Sequence, residues 1–407
     1  MELSGKTFRL VGKVQNYAWG GFQFLPSLLN FENAEHKPCA EYWMGAHPSA
    51  PSTLSNSQQT ILLNELIHER PAESITNTVF NRFGELPYLF KILDVNDMLS
   101  IQVHPTKAEA EKGFAAEEAE GIPITAPHRN YKDKNHKPEV MVALSEFWLL
   151  HGFKQADALE KTLQDVQEFT ILQGLFKVEG YKGLYQFVME MSQADVDIFL
   201  APLVKRELRR REANELTKAD AGWWVSKLYE QNDAPLKNID RGIFSIYFFN
   251  IVQVQPGEAV FQGAGIPHAY LEGQNVELMA NSDNVLRGGL TPKHIDVPEL
   301  MKHTVFEGIT PNVMKGINIG NHTIHYPCPV PDFGIHKIEL SGGDTHTATA
   351  ASLEIIIAVQ GGAVLNSSAN LVIKQGEAVA ILPGETYKIE ASGNCTLYKA
   401  FVPYVQN

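Results

Sequence analysis

The stretch Gln255–Tyr270 reads QPGEAVFQGAGIPHAY, and a shorter counterpart, KQGEAVAILPGETY, occupies Lys374–Tyr387. In each copy a Gly-Glu turn leads into a run of apolar residues, and a turn containing proline leads into a further run. This order of strand, Gly-Glu turn, strand, proline-containing turn and strand is typical of a jelly-roll β-barrel. Its repetition predicts two such barrels in one chain.

The two copies differ at a position that matters for chemistry. When they are aligned on Gly-Glu-Ala-Val, with a second loop two residues shorter in the later copy, His268 stands opposite Glu385. Imidazole is a common metal ligand, and the second copy lacks it. The order of strands and turns indicates barrels of the cupin type. We therefore expect any bound metal to lie in the first barrel.

Strand-like and helix-like patterns alternate along the rest of the chain. Residues 1–153 have short apolar runs between Gly, Pro, Asn and Ser turns, with one predicted helix from Thr106 to about Glu120. Apolar residues then recur at helical spacing, and strand-like runs resume at Ile243–Val252, with one interruption around Thr291–Thr304. We predict a mainly β protein with an α-helical insertion, in four parts: a cupin barrel that carries the site (first part, 1–153), an all-helical domain (154–240), the second part of that barrel (241–317) and a C-terminal cupin-like barrel without metal (318–407).

Composition excludes several classes of protein. The 34 basic and 47 acidic residues give a net charge of −13, so the chain as a whole should not attract nucleic acid or an anionic membrane. No apolar stretch approaches the roughly 20 residues of a membrane span, no signal peptide is visible, and three widely spaced cysteines argue against a disulfide framework. We expect a monomeric cytoplasmic protein, and we interpret Arg206 and Arg209–Arg211 as a solvated helix face.

Three segments supply candidate metal ligands. Gln102 and His104 lie two positions apart in a predicted strand, where side chains at i and i+2 point to the same face. Glu139 and His268 would complete the set. Two imidazoles, one carboxylate and one amide oxygen suit zinc with a position left for water or substrate.

Two long motifs resemble those of the type I phosphomannose isomerase family. They are YKDKNHKPE at Tyr131–Glu139 and HAYLEGQNVELMANSDNVLRGGLTPK at His268–Lys293. Shorter matches are YAWG at Tyr17–Gly20, EYWMGAHPS at Glu41–Ser49 and LSIQVHP at Leu99–Pro105. One departure is Gly288, where the family usually has alanine after the arginine.

The resemblance implies one Zn²⁺ per chain on Gln102, His104, Glu139 and His268, and Arg287 as the principal catalytic residue. It also implies that Lys137, Glu277, Asp283 and Lys293 line the site. Ser100, one pleat step before Gln102, is a candidate phosphate contact or else a plain strand serine. We assign Trp19, Glu41 and Trp43 to the pocket wall, with core packing as the alternative for each tryptophan. Asn281, Ser282 and Asn284 are interpreted as turn and supporting groups, and Lys132 and Lys134 as a solvated loop.

The function that the resemblance implies is a zinc-dependent aldose–ketose isomerase. It would interconvert mannose 6-phosphate and fructose 6-phosphate by proton transfer through an enediol. The sequence leaves Glu277, Asp283, Lys137 and His136 open as the acid–base group. Two alternatives are another metal-dependent cupin enzyme such as an oxygenase, which usually carries His-x-His where this chain has Gln-x-His, and a sugar-phosphate sensor without catalysis.

Overall fold

Two β-sheet modules and a helical region make up residues 5–230 and 236–403, which a computed structural model describes. The predicted domains also included residues 1–4, 231–235 and 404–407, which lie outside the described residues. The predicted fold class, mainly β with a helical insertion, is confirmed. Among the described residues, no helix is both long and apolar enough to cross a membrane.

Up to residue 153, short strands alternate with short helices. Helix α5 begins where the sequence predicted, because the Thr106 hydroxyl accepts the backbone N–H of Glu109 and caps it. Four further helices of four to seven residues were not predicted, since they are too short to show an apolar period. The elements are β1 (Thr7–Val11), β2 (Lys13–Gln15), α1 (Phe24–Leu28), β3 (Glu41–Gly45), β4 (Thr53–Ser55), β5 (Thr60–Leu62), α2 (Leu63–Glu69), α3 (Pro71–Ser74), α4 (Asn77–Phe83), β6 (Tyr88–Val95), β7 (Ile101–Val103), α5 (Lys107–Ala119), β8 (Glu139–Ala143) and β9 (Phe147–Phe153).

The predicted helical region follows and extends further than expected. Its elements are α6 (Ala156–Asp165), a 3₁₀ helix (Gln167–Leu172), α7 (Gln173–Glu190), α8 (Gln193–Glu212), α9 (Ala221–Tyr229) and α10 (Gly242–Phe248). The prediction that strands resume at Ile243 is wrong, because Gly242–Phe248 is helical and the strand begins only at Phe249. Every residue of α10 is buried, so its sequence carries no amphipathic signal that would distinguish a helix from a buried strand.

The arginines of α8 do not form a uniformly solvated face. The carboxylate of Glu207, which is 1% exposed, lies within 2.9 Å of guanidinium nitrogens of both Arg206 and Arg210. The guanidinium of Arg211 lies 4.2 Å from the ring centroid of Trp223 on α9. Arg209 is exposed as predicted. The contact of Arg211 with Trp223 ties α8 to α9, and the clustered cations also suit the C-terminal end of a helix.

The remaining elements complete both β modules. They are β10 (Phe249–Val254), β11 (Ala259–Gln262), β12 (His268–Ala280), β13 (Leu286–Gly289), α11 (Val297–His303), β14 (Ile317–Asn318), β15 (Thr323–Tyr326), β16 (Gly334–Leu340), β17 (Thr345–Thr349), β18 (Glu354–Gln360), β19 (Gly362–Asn366), β20 (Asn370–Lys374), β21 (Ala378–Ile381), β22 (Thr386–Ala391) and β23 (Cys395–Phe401). Strands β11 and β21 are the equivalent parts of the repeat. His268 begins β12, and Glu385 directly precedes β22, as the alignment requires.

Strand β12 organises the first module, because it pairs with β6, β7, β8 and β9 within a ten-stranded sheet. A buried cluster that includes Met141, Leu149, Val254, Val260 and Tyr270 fills part of its interior.

The second module includes strands from the beginning of the chain. Its larger sheet has the order β14-β15-β16-β23-β18-β21-β1-β4-β5, and its smaller sheet has the order β17-β22-β19-β20. Thr7 of β1 is paired with Ile381 of β21. The predicted boundaries assigned residues 7–11 and 53–62 to the first barrel, and this pairing corrects that assignment. A single buried cluster joins the modules, with Phe8, Phe90, Val276 and Ile355 among its members.

Candidate metal centre and surrounding site

Three predicted ligands converge in the first barrel. His104 follows β7, Glu139 begins β8 and His268 begins β12, and ligand atoms of these three residues all lie within 4.8 Å of one another. All three residues are buried. Nε2 of His104 lies 3.5 Å from Oε1 of Glu139, and Nε2 of His268 lies 3.4 Å from Oε2. Each carboxylate oxygen therefore faces one imidazole.

Hydrogen bonds fix the protonation of both rings. Nδ1–H of His104 donates to the carbonyl of Asn284 at 2.9 Å, and Nδ1–H of His268 donates to the carbonyl of Ile266 at 2.9 Å. A neutral imidazole has one N–H, so each Nε2 presents a lone pair to Glu139. Nε2 of His104 is buried without a hydrogen-bond partner among the described residues. Three acceptors facing one another require a cation between them, so these residues fit a metal.

The charge states of His104 and Glu139 agree with this. Burial, together with the charge of Lys137, lowers the pKa of His104 to about 4, so the ring is neutral at pH 7. Burial alone would raise the pKa of Glu139. Lys137, whose Nζ is 2.8 Å from Oε1, and the adjacent histidines outweigh burial and hold that pKa well below its usual range. A neutral imidazole and an ionised carboxylate are forms that bind metals.

Gln102 and Arg287 lie in the same cross-strand row as His268. In the pairing of β12, β7 and β13, Gln102 is directly opposite His268 on one side and Arg287 on the other. Directly opposite residues of antiparallel strands project to the same face. The predicted fourth ligand and the predicted catalytic arginine thus stand side by side. No carboxylate in the described part of the chain forms an ion pair with Arg287, and burial lowers the pKa of its guanidinium.

His151 extends this row and was missed by sequence reasoning. It lies opposite His268 on β9, and its Nδ1 is 2.6 Å from Oε1 of Gln262. Burial lowers the pKa of His151 to about 4. A lone histidine in a strand gives no sequence signal beyond a core residue, so only the strand register reveals its place.

A buried lysine links two of the predicted acidic residues. Nζ of Lys91 lies 3.3 Å from Oε2 of Glu41 and 3.1 Å from Oε2 of Glu277. Burial would lower the pKa of Lys91, but the surrounding carboxylates raise it above its ordinary value. Burial raises the pKa of Glu277. Sequence reasoning missed Lys91, although a lysine within the apolar run YLFKILDV (Tyr88–Val95) is a signal that could have found it.

The two tryptophans that were predicted to line the pocket wall differ in position. The indole N–H of Trp43 donates to Glu41, and Nζ of Lys91 lies 5.2 Å from the centroid of its ring. Trp43 is buried, and it packs beside the charged side chains of Glu41 and Lys91. Trp19 is only partly buried, stacks on Tyr17 at 5.9 Å and packs against the barrel core.

The remaining predicted site residues lie further out. Asp283 is exposed, with Oδ2 3.3 Å from Nε2 of His47, and the hydrogen bond from His47 lowers its pKa. Ser100 is partly buried and immediately precedes β7. Lys293 is exposed, and burial followed by the charge of Arg287 lowers its pKa. Asp283 is therefore a rim residue, whereas Lys293 extends the positive charge of Arg287.

The supporting groups predicted between Asn281 and Asn284 tie two loops together. The side-chain oxygen of Asn284 accepts the backbone N–H of Lys132 at 2.7 Å, and its amide nitrogen donates to the carbonyls of Asp133 and Asn135. Its own carbonyl accepts from His104. One asparagine thus connects the Tyr131–Lys137 loop to His104, a predicted metal ligand. Lys132 and Lys134 were predicted to lie in a solvated loop. Lys132 is only partly solvated, because its Nζ donates to the carbonyl of Ile124 at 2.6 Å.

The second barrel has no equivalent cluster, because the His104, Glu139 and His268 group is the one candidate found across residues 5–230 and 236–403. Glu385 is buried, and its Oε1 accepts the backbone N–H of Ser368 at 2.6 Å. We expect Glu385→Gln to leave turnover within about twofold of the parent, because a glutamine oxygen can accept the same bond and changes away from a site have small effects. Steady-state kinetics checks this, and a tenfold loss with the fold intact would contradict it.

The sequence of this chain is similar to that of a known enzyme family. A family model described as "Phosphomannose isomerase type I, catalytic domain" matches residues 7–156. The mannose-6-phosphate isomerase of Escherichia coli (strain K12) is 38% identical over 395 residues, covering 93% of this chain and 95% of that protein. The mannose-6-phosphate isomerase of Homo sapiens is 34% identical over 398 residues, covering 89% of each.

Solved structures superpose on this chain over almost its whole length. A mutant phosphomannose isomerase from Salmonella typhimurium superposes with a TM-score of 0.88 at 34% identity, covering 98% of this chain and 100% of that one. A zinc-bound mannose 6-phosphate isomerase gives a TM-score of 0.86 at the same identity and coverage. With sequence and fold shared over nearly the full length, and with the predicted motifs around the ligand cluster, the chain belongs to the type I phosphomannose isomerase family of enzymes.

Proposed function

We propose that this chain is a zinc-dependent isomerase that interconverts mannose 6-phosphate and fructose 6-phosphate, with one Zn²⁺ per chain. The observation that carries the proposal is the pair of Nε2 lone pairs facing the two oxygens of Glu139. We infer that Gln102, His104, Glu139 and His268 hold the ion. Bound there, zinc would supply a Lewis acid that polarises the substrate oxygens at C1 and C2.

Binding of a dianionic sugar phosphate to an acidic protein needs local cations. Lys91 is already neutralised by Glu41 and Glu277, so it contributes little net attraction. Arg287 has no carboxylate partner among the described residues, and its planar donor fork suits a phosphate or an enediolate oxygen. We infer that Arg287 and Lys293 attract the anion, with Ser100 as a further contact for phosphate.

The acid–base group must hold a proton near the reacting carbons. Glu277 is buried and its pKa is raised, whereas Asp283 is exposed and its pKa is lowered. A carboxyl group with a raised pKa transfers protons more efficiently near neutral pH. We therefore favour Glu277 over Asp283, with Lys91 keeping Glu277 in position. Lys137 and His136 stay open as partners.

The direct test is a coupled assay for fructose 6-phosphate formed from mannose 6-phosphate, with zinc quantified in the same preparation. Turnover that is lost with chelator and restored by one equivalent of zinc would support the proposal. Zinc-loaded protein that binds the sugar phosphate without turnover, or iron-loaded protein that consumes oxygen, would refute it.

The route of the hydrogen gives a separate prediction. A base that accepts the C2 proton and returns it to C1 can exchange it with water in the interval. We expect fructose 6-phosphate formed in deuterated water to carry deuterium at C1, detectable by NMR at partial conversion. Starting from mannose 6-phosphate deuterated at C2 in ordinary water, complete transfer of the label to C1 would contradict an exchanging base.

We also propose that the enzyme is monomeric and cytoplasmic and binds neither nucleic acid nor membranes. The net charge of −13 disfavours polyanionic partners. All three cysteines are free, in agreement with a reducing compartment.

A further inference from the structure

We propose that Asp332, which lies in the second barrel, is a positioning residue for the isomerase site, and that it acts by holding His136. This inference rests on the proposed function, because it concerns the loop that carries Lys137. It gives the second barrel a role in turnover beyond its contribution to the common core.

The segment that carries Asp332 is stiff. It reads PCPVPDF at residues 327–333, between β15 and β16, and has proline at three alternate positions. Proline fixes φ, so a run of this kind has few accessible conformations. Phe333 is fully buried in the cluster that joins the modules, and Gly334 is paired with Phe401 of β23. Asp332 therefore lies between a stiff proline-containing segment and strand β16, which is fixed by its pairing with β23.

The carboxylate of Asp332 reaches across to the first barrel. Its Oδ1 lies 3.0 Å from Nε2 of His136, and Asp332 is only 2% exposed. A carboxylate oxygen accepts, so Nε2 of His136 carries the proton of this bond. Oδ2 of Asp332 is buried without a hydrogen-bond partner among the described residues. A buried carboxylate with a single protein partner depends on that partner, and the histidine contact is correspondingly strong.

His136 is partly buried, and its ring borders a cavity. A cavity of about 450 Å³ is lined by both His136 and Asp332, together with Asn135 and Asn281. The backbone N–H of His136 donates to the side chain of Asn135, which leaves the ring to be oriented by Asp332. Removing the carboxylate would free the ring to move into the cavity.

The next residue along the chain is part of the proposed site. Lys137 places Nζ 2.8 Å from Oε1 of Glu139, and its charge helps to keep that carboxylate ionised. The loop is tied on its first-barrel side by Asn284, which binds the carbonyls of Asp133 and Asn135. Asp332 ties it from the opposite side. A displacement of a site residue by about 1 Å can lower a rate on the order of 10²-fold. Loss of the contact between Asp332 and His136 should therefore lower turnover measurably.

The experiment compares Asp332→Ala, Asp332→Asn, His136→Ala and the Asp332→Ala/His136→Ala double variant in zinc-loaded full-length protein. We expect Asp332→Ala to lower kcat about tenfold, with KM changed less than twofold and zinc content unchanged. Asp332→Asn should recover most of that loss, because the amide oxygen can still accept from His136. The double variant should be no slower than the slower single variant, as coupled residues require. Glu385→Gln is the matched control, since it also changes a buried acid of the second barrel.

Three results would overturn the proposal. They are an Asp332→Ala rate within twofold of the parent, fully additive losses in the double variant, and a lower thermal midpoint with unchanged kinetics. If Asp332→Ala does not fold, the turnover rates of Asp332→Asn and His136→Ala test the proposal instead. An unaffected rate in His136→Ala would then refute it. Absence of isomerase turnover in the zinc-loaded parent would instead refute the proposed function, so the two failures are distinguishable.

Discussion

Replacing His104 with alanine is expected to remove most of the bound zinc and nearly all of the activity while the fold is retained. His104 is fully buried, and its Nε2 has no other partner among the described residues. Loss of a direct ligand should weaken zinc binding by more than the roughly 10–100-fold that loss of an outer partner causes. The barrel core is extensive without the ion, so folding should not depend on metal. Zinc titration, circular dichroism and turnover on one preparation measure all three quantities.

A matched control separates the loss of a ligand from the loss of any buried histidine. His346 is 3% exposed and lies on β17 in the second barrel. His346→Ala should keep stoichiometric zinc and a rate within about threefold of the parent, since its effect is confined to stability. Full zinc and full rate in His104→Ala would remove His104 from the ligand set.

The second large effect is expected at Arg287. Arg287 is directly opposite Gln102 in the strand pairing and has no carboxylate partner among the described residues. A fixed positive charge is most valuable where negative charge develops, so Arg287→Ala should lower kcat by roughly 10²–10³-fold and change KM much less. Steady-state kinetics with mannose 6-phosphate, at zinc content equal to that of the parent, measures the split.

Arg287→Lys distinguishes charge from geometry. Lysine keeps a positive charge but lacks the planar fork, so we expect it to recover only part of the lost turnover. A variant series in which KM rises and kcat is unchanged would make Arg287 a binding residue and contradict a role in the transition state.

The sequence predicted those parts of the fold that depend on local pattern. The repeat at Gln255–Tyr270 and Lys374–Tyr387 indicated two β modules, and capping by Thr106 marked the start of α5. Helix α10 was predicted as a strand because a short run that is apolar on every side has no period to read. The same composition suits a buried strand and a buried helix, and only tertiary packing selects between them.

Long-range pairing was beyond sequence reasoning. Nothing in β1 or β4 indicates that they join the sheet of the second barrel, because their alternation would suit an edge in either module. Gln102 and His104 could be proposed as candidate metal ligands, because their spacing in a predicted strand is a local signal. The position of Lys91 in an apolar run could have marked it as unusual, but its partners and those of His151 follow only from the register of β12 with β6 and β9.

The pairing of β1 with β21 also bears on how the molecule is made. The ion pair between Arg9 and Glu377 links residues 368 positions apart, so β1 leaves the ribosome long before its neighbouring strand β21 is synthesised. Until then β1 has an unsatisfied edge, which other chains can pair with. Contacts of such high sequence separation slow folding and extend the period in which aggregation can occur. The larger sheet of the second barrel therefore cannot be completed until β21 has been synthesised, whereas every strand of the ten-stranded sheet lies between Lys13 and Gly289.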